Sequence, residues 1–169
     1  KTGFGGICGV VMLNGVKFDA CVNSKTAKVH RIDVTGSANN NACASSVGGI
    51  LGRSAAVFTT SGDNAYVDID SSAGGYNTVF TDCSNSGEVI NSVRNGNNFG
   101  DDEKGNTKCG TGGIVGALVG KGSNVPSLVR CSNHGAVKAG YNTTNNSHIV
   151  GGLAGTVRLA TFADCVSTG

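Results

Sequence analysis

The stretch Gly112–Gly116 reads GGIVG, and three close copies of it recur along the chain. The copies are GGICG from Gly5, GGILG from Gly48 and GGLAG from Gly151. Glycine is a poor residue for the interior of a helix or a strand, so four such stretches require a structural reason. A motif that recurs in this way indicates an internal repeat, and a repeat decides the fold before any other property does.

A second motif follows each glycine motif and is centred on a cysteine. The cysteine column contains Cys21, Cys83, Cys131 and Cys165. Three residues earlier stand Phe18, Phe80, Leu128 and Phe162. Two residues later stand Asn23, Asn85, Asn133 and Ser167, and six residues later stand Ala27, Val89 and Val137. Because several columns agree at once, the chain is predicted to consist of repeat units.

The repeat units have constant motifs but unequal lengths, since they start near residues 5, 48, 112 and 151. This pattern is typical of a solenoid, a fixed frame that tolerates inserted loops. The second unit carries insertions around residues 53–75 and 94–108. We expect a single β-solenoid domain over residues 1–169. The chain begins without Met and ends within a motif, so we expect a segment of a longer or multi-subunit assembly.

The shortest complete unit contains three strand-like pieces, GGIVGALV, SLVRCSN and GAVKAGY, separated by turn signals. No stretch has a helical period that competes with them. The sequence therefore predicts an all-β fold, a parallel β-solenoid of about four coils with three short strands per coil. Equivalent residues of successive coils would stack roughly 4.8 Å apart. One interior ladder would contain Ile7, Ile50, Ile114 and Leu153, and the phenylalanine column would form another. The asparagine column would form a turn ladder that hydrogen-bonds between coils.

The composition excludes several classes of protein. Glycine is abundant, with 28 residues, but it follows no triplet period and there is one proline, so collagen is excluded. The net charge of +2 shows no basic stripe, so no nucleic-acid partner is expected. No apolar run is long enough to span a membrane. Asn, Ser, Thr, Gly and Val dominate, as in proteins built from short strands and tight turns.

The glycine motifs followed by CSNxGxV resemble the GLUG-type repeats of bacterial surface and secreted proteins. Such repeats occur in adhesin-like proteins and in non-catalytic regions of IgA-specific metalloproteases. The resemblance covers nearly the whole chain outside the insertions, and Lys25 departs from it where a turn glycine is usual. The resemblance implies an extracellular or cell-surface β-solenoid with a structural or adhesive role, and it implies no catalytic residues.

The seven cysteines leave at least one thiol unpaired within the chain. The four in one column are expected to be buried free thiols acting as small hydrophobic residues. Cys43 and Cys109 precede neighbouring glycine motifs and are candidates for a disulfide. No C-x-x-C pair and no His spacing indicates zinc, and His134 is expected to be a solvated turn residue. No metal and no cofactor is therefore expected.

Carboxylates are the strongest catalytic candidates. In YVDIDSS, strand alternation would place Asp68 and Asp70 on one face about 6.6 Å apart, near the separation of inverting glycosidases. The same pattern also fits an ordinary half-exposed strand. Calcium binding by Asp63 with this pair, or by Asp101, Asp102 and Glu103, matches no known calcium loop, so solvated loops are the simpler interpretation.

Two further features concern glycans. Asn142 and Asn145 begin N-glycosylation sequons, which would matter only in a glycosylating host. An aromatic platform for glycan binding would have to come from the three tyrosines, Tyr66, Tyr76 and Tyr141. We expect a non-enzymatic structural or adhesive segment that stacks on further repeats or on other copies and contacts a surface glycan or host protein. A carbohydrate-active β-helix, either cleaving or binding polysaccharide, is the alternative.

Overall fold

The computed structural model describes residues 3–32, 46–54, 58–59, 65–66, 75–92, 110–139 and 149–169. Within these ranges every element of regular secondary structure is a β-strand. The described residues contain no helix long and apolar enough to cross a membrane. The strands follow one another around four successive coils.

Each coil repeats the same set of short strands. The first coil contains β1 (Gly3–Gly5), β2 (Cys8–Val11), β3 (Lys17–Asp19), β4 (Val22–Asn23) and β5 (Lys28–Ile32). The second contains β6 (Ser46–Gly48), β7 (Leu51–Ser54), β8 (Phe58–Thr59), β9 (Ala65–Tyr66), β10 (Val79–Thr81), β11 (Ser84–Asn85) and β12 (Glu88–Ser92). The third contains β13 (Gly110–Gly112), β14 (Val115–Val119), β15 (Ser127–Val129), β16 (Ser132–Asn133) and β17 (Val137–Ala139). The fourth contains β18 (Ile149–Gly151), β19 (Ala154–Arg158), β20 (Thr161–Ala163) and β21 (Val166–Ser167).

Equivalent strands of successive coils pair in parallel and form five sheets. Their orders are β1-β6-β13-β18, β2-β7-β14-β19, β3-β10-β15-β20, β4-β11-β16-β21 and β5-β12-β17. We call them sheets A to E in that order. Every pairing within these sheets is parallel, and each sheet crosses the coils in sequence order. The prediction of a parallel β-solenoid of about four coils is confirmed.

The number of strands per coil differs from the expected three, because bends divide two of the three predicted segments. GGIVGALV bends at Gly113 and Ile114, and SLVRCSN bends at Arg130. Arg130 has a φ of 51°, and the residues before the other three column cysteines have the same left-handed backbone: Ala20, Asp82 and Asp164. None of these residues is glycine, the usual marker of such a bend, so no glycine column in the sequence marks this corner.

The register of the first coil also differs from the alignment on cysteine. Val29, and not Ala27, pairs with Val89, which in turn pairs with Val137. A turn closed by a hydrogen bond from the Ala27 N–H to the Ser24 carbonyl, 3.0 Å long, precedes β5. Lys25, which replaces the usual glycine, lies in this turn, so the extra residues are absorbed there before the strand begins.

The first predicted insertion of the second coil begins within β7, at Arg53 and Ser54, and its later described strands are β8 and β9. Among the strands described, β8 and β9 pair only with each other, in an antiparallel register of Phe58 with Tyr66. The solenoid resumes at Gly75 and Tyr76, where the Tyr76 N–H donates to the Val119 carbonyl of the third coil. The second predicted insertion, residues 94–108, lies outside the described residues.

The core of the solenoid consists of two apolar clusters. The larger contains Val11, Phe18, Ile50, Leu51, Phe80, Cys83, Ile114, Val115, Leu118, Leu128 and Cys131. The smaller contains Val29, Val47 and Val89, with Val137 packed against them. Most members of both clusters belong to the second and third coils, because these are the described coils that have a described neighbour on each side.

The glycine motif lets the chain fold back on itself with almost no space between sheets A and B. A Cβ atom added to Gly116 would lie 2.5 Å from the Gly52 carbonyl oxygen and 2.5 Å from the Val47 amide nitrogen. A Cβ atom added to Gly113 would lie 2.2 Å from the Gly152 carbonyl oxygen and from the Asn133 side-chain carbon. Real Cβ atoms do not approach other atoms this closely. The motif is therefore required for backbone-to-backbone packing of two sheets.

Candidate functional site

The two ends of the coil stack differ from the rest of the described surface. The first coil supplies the outermost strand of every sheet at one end, and the fourth coil does so in sheets A to D at the other. We call these surfaces the first-coil end and the fourth-coil end. Within the described residues each outermost strand has one paired edge, so the other edge presents N–H and C=O groups without a strand partner.

Large apolar side chains are exposed only in the end coils, within the part of the chain that the structure describes. At the first-coil end these residues are Phe4, Ile7, Met12, Leu13 and Val22. At the fourth-coil end they are Ile149, Val150, Val157, Leu159, Phe162 and Val166. An exposed single apolar residue needs no explanation, but a set confined to the two end coils makes these coils the candidate functional site.

The isoleucine column shows how the stack exposes its own interior. Ile50 and Ile114 are fully buried, and Leu153 is partly buried against the same cluster. The Ile7 N–H donates to the Ile50 carbonyl at 3.1 Å, so Ile7 keeps the register of the column. Its side chain is nevertheless 51% exposed. Ile7 is therefore exposed where an interior position was expected, because no described coil covers its outer side.

The phenylalanine column behaves in the same way. Phe80 pairs in register with Phe18 on one side and Leu128 on the other, and Leu128 pairs with Phe162. The Phe18 and Phe80 rings stack with centroids 4.9 Å apart and planes 9° apart. Phe80 is fully buried, whereas Phe162 in the fourth coil is 43% exposed. One column thus contains both a core residue and an end residue.

The cysteine column consists of free thiols. Cys83 and Cys131 are buried, and Cys21 and Cys165 in the end coils are partly exposed. The adjacent Cys131 thiol and burial together raise the pKa of Cys83, and burial raises the pKa of Cys21, whereas the hydrogen bond with Cys83 lowers the pKa of Cys131. The raised pKa values keep the Cys83 and Cys21 thiols protonated and unreactive, since the thiolate is the nucleophile. The predicted Cys43–Cys109 disulfide lies outside the described residues.

The asparagine column forms a chain of side-chain hydrogen bonds between coils. The Asn23 amide donates to the Asn85 Oδ1 at 2.6 Å, and the Asn85 amide donates to the Asn133 Oδ1 at 2.7 Å. The Asn133 amide donates to the Ser167 Oγ at 3.4 Å. The three asparagines are buried and lie in the strands of sheet D, whereas the sequence placed them in a turn. We call this chain, with Ser167, the amide ladder.

Charged side chains form two small exposed groups that the sequence analysis did not identify. Arg130 binds Asp82 of the coil before it through two hydrogen bonds of 2.7 and 2.8 Å. Glu88 accepts from Lys138 at 2.7 Å and contacts His30 Nε2 at 3.2 Å. The Arg130 guanidinium holds the pKa of Asp82 below its usual range, and Lys138, with His30, lowers the pKa of Glu88. Only the coil register brings these residues together.

These two carboxylates predict that acid destabilises the solenoid. A carboxyl whose pKa is lowered by folding binds fewer protons in the native state than in the unfolded state, so it stabilises the fold above its unfolded pKa. That contribution is present at neutral pH and is lost as pH falls below about 4. Urea unfolding midpoints measured from pH 7 to pH 2 should decline in that window. In the double variant Asp82→Asn, Glu88→Gln, the urea midpoint should decline less steeply with falling pH. An equally steep decline would contradict a stabilising role for these two carboxylates.

Several predicted site residues lie outside the described residues. They are Asp63, Asp68, Asp70, Asp101, Asp102, Glu103, Asn142 and Asn145. The enzymatic and calcium hypotheses and the two sequons therefore remain predictions. Among the described residues no three His, Cys, Asp or Glu side chains are grouped to hold a metal ion. His134 is exposed and bonds Thr168 of the next coil at 2.8 Å.

Comparison of the chain with protein-family models, with curated proteins and with solved structures found no match.

Proposed function

We propose that this chain is an extracellular structural or adhesive β-solenoid segment that works by stacking end to end. The observation that carries the proposal is the confinement of exposed large apolar side chains to the two end coils of the described structure. Those coils also present the unpaired edges of their strands. An uncovered edge is a template for pairing with another chain, and an apolar surface beside it adds a driving force for association.

Stacking on these ends would build a filament or a cell-surface stalk. The two ends of a solenoid are different surfaces, so a contact between unlike ends does not close on itself. Contacts of that kind produce open assemblies, not rings or dimers. Further solenoid repeats or further copies of the chain would extend the same sheets by one parallel strand per coil. The outer faces of the coils would then be free to contact a surface glycan or a host protein.

The extracellular location and the adhesive role are supported by the resemblance to GLUG-type repeats. That resemblance rests on the glycine motifs and on the CSNxGxV segments, which lie in the part of each coil that repeats along the chain. It brings no catalytic residue, which agrees with a role through shape and surface. Adhesion would use the lateral faces, because stacking occupies the ends.

The proposal predicts concentration-dependent self-association of the purified chain. Sedimentation velocity should show the weight-average coefficient rising with protein concentration. Val150→Glu should weaken the association about tenfold or more, because Val150 is 45% exposed at the fourth-coil end and a stacked coil would bury the new carboxylate.

The matched control is Ser123→Glu, which adds the same side chain at an exposed position in a turn of the third coil, an inner coil. It should associate as the parent chain does. A chain that stays monomeric at millimolar concentration, or equal weakening by the two variants, would refute stacking on the ends.

A further inference from the structure

The amide ladder has a direction. Each amide nitrogen donates to the side-chain oxygen of the next coil, from Asn23 to Asn85, from Asn85 to Asn133 and from Asn133 to Ser167. The first member therefore presents an Oδ1 that no described side chain occupies. The last member accepts a hydrogen bond through its hydroxyl oxygen and retains an O–H to donate. The ladder thus begins with an acceptor and ends with a donor.

Backbone contacts fix this direction independently of the ladder. The Asn85 Nδ2 also donates to the Gly87 carbonyl at 3.0 Å, and the Asn133 Nδ2 donates to the Gly135 carbonyl at 2.9 Å. The Gly135 N–H in turn donates to the Asn133 Oδ1 at 3.3 Å. A flipped amide would face a carbonyl with its oxygen and lose these bonds, so the nitrogen must point as it does.

The backbone of the glycine motif runs in the same direction. The Ile50 N–H donates to the Ile114 carbonyl, and the Ile114 N–H donates to the Leu153 carbonyl. Continued by one coil, this row would use the Leu153 N–H as donor and the Ile7 carbonyl as acceptor. Neither group has a backbone partner within the described residues. The two ends therefore carry complementary halves of one hydrogen-bond pattern.

The outward-facing column of sheet D differs between inner and end coils. Val22 pairs with Ser84, Ser84 pairs with Ser132, and Ser132 pairs with Val166. Serine occupies this position in the two inner coils, and valine occupies it in the two end coils. Val22 is 63% exposed and Val166 is 47% exposed. Stacking of unlike ends would place these two valines side by side as a cross-strand pair, which removes apolar surface of both from water.

From these three features we infer that the fourth-coil end of one copy binds the first-coil end of a second copy, in parallel and in register. The Ser167 hydroxyl donates to the Asn23 Oδ1 of the second copy, and Val166 lies beside its Val22. Two like ends cannot meet in this way, since two first-coil ends oppose acceptor to acceptor at Asn23. The inference rests on the proposed end-to-end stacking and adds its partner, direction and register.

A pair of double variants tests the direction. In the double variant Val22→Lys, Val166→Glu, every junction between unlike ends joins a lysine to a glutamate. In the double variant Val22→Glu, Val166→Glu, every such junction joins two glutamates. Both positions are exposed in the single chain, so folding should be unaffected, and circular dichroism checks this. Sedimentation at low salt should show the lysine–glutamate variant associating about tenfold more tightly, a difference that shrinks in 1 M salt.

Contacts between like ends predict a different result, because lysine would then meet lysine and glutamate would meet glutamate. The two double variants would associate equally weakly. That outcome, with a parent chain that still self-associates, would overturn the direction and leave end-to-end stacking in place. A parent chain that does not self-associate would overturn both.

The ladder itself is tested at Ser167. Ser167→Asn restores the residue found in the inner coils, and the space for it is provided by Gly152, as Gly113 provides it for Asn133. The new amide can donate to Asn23 of the second copy, so association should tighten by several-fold up to about tenfold. Ser167→Ala removes the donor and should weaken association. Unchanged association in both variants would overturn the ladder contact.

Discussion

Gly113→Ala is expected to destabilise the solenoid by about 3 kcal/mol or more, a large part of the roughly 5–15 kcal/mol that stabilises an ordinary domain. The added Cβ would lie 2.2 Å from the Gly152 carbonyl oxygen and from the Asn133 side-chain carbon. The first neighbour is backbone of the next coil and the second is a member of the amide ladder. Neither can move without breaking hydrogen bonds between coils, so the strain has no inexpensive release.

The matched control for this variant is Gly122→Ala. Gly122 has open space around its Cβ position, but its φ of 58° is left-handed. Alanine at this position should lower the free energy of unfolding only through its left-handed backbone, by about 1 kcal/mol. Urea unfolding of both variants, followed by circular dichroism, gives the comparison. If Gly113→Ala lost no more stability than Gly122→Ala, the close contact of Gly113 with Gly152 and Asn133 would be contradicted.

The glycine motif shows what the sequence can predict and where prediction stops. Four copies of one motif predict a repeat and a ladder, because a fixed pattern must occupy equivalent positions. The contact partner of Gly113, however, is the side chain of Asn133, which lies further along the chain and in another sheet. No spacing rule joins these two residues. The physical reason for the second glycine of the motif is therefore visible only in the folded structure, where the coil brings Asn133 against Gly113.

The corner before the cysteine column illustrates a second limit. Ala20, Asp82, Arg130 and Asp164 all have a left-handed backbone. Aspartate tolerates this conformation, but alanine and arginine do not favour it, so the column has no shared turn signal. Their conformation is imposed by the stacking of equivalent corners, where the Asp82 N–H donates to the Val129 carbonyl and the Arg130 N–H to the Ala163 carbonyl. A tertiary contact overrides local preference, so local reasoning predicts one strand where the chain makes two.

The ends of the stack could be predicted only in part. The columns identified from the sequence contain the residues of the first and fourth coils, such as Ile7 and Phe162. The columns do not reveal exposure, because a residue in an end coil and a residue in an inner coil have the same sequence neighbours. Exposure depends on how many coils lie on each side. The direction of the amide ladder likewise depends on the contacts of each amide with Gly87 and Gly135.

Phe80→Ala is expected to cost about 3–5 kcal/mol. Phe80 is fully buried, stacks on the Phe18 ring at 4.9 Å and pairs on the other side with Leu128. Its removal leaves a cavity between two coils that the short strands of sheet C cannot close, since their hydrogen bonds fix the distance between coils. The free energy of unfolding, measured by urea titration of dilute protein, is the appropriate quantity.

Phe162→Ala is the matched control, because it makes the same change in the same column. Phe162 is 43% exposed and has a described neighbour on one side only, so its loss should cost about 1 kcal/mol or less in the dissociated chain. At concentrations where the chain associates, the two variants should differ less in the free energy of unfolding. The reason is that the first coil of a second copy would then bury Phe162. Equal destabilisation by both variants in dilute protein would mean that the fourth-coil end is already covered.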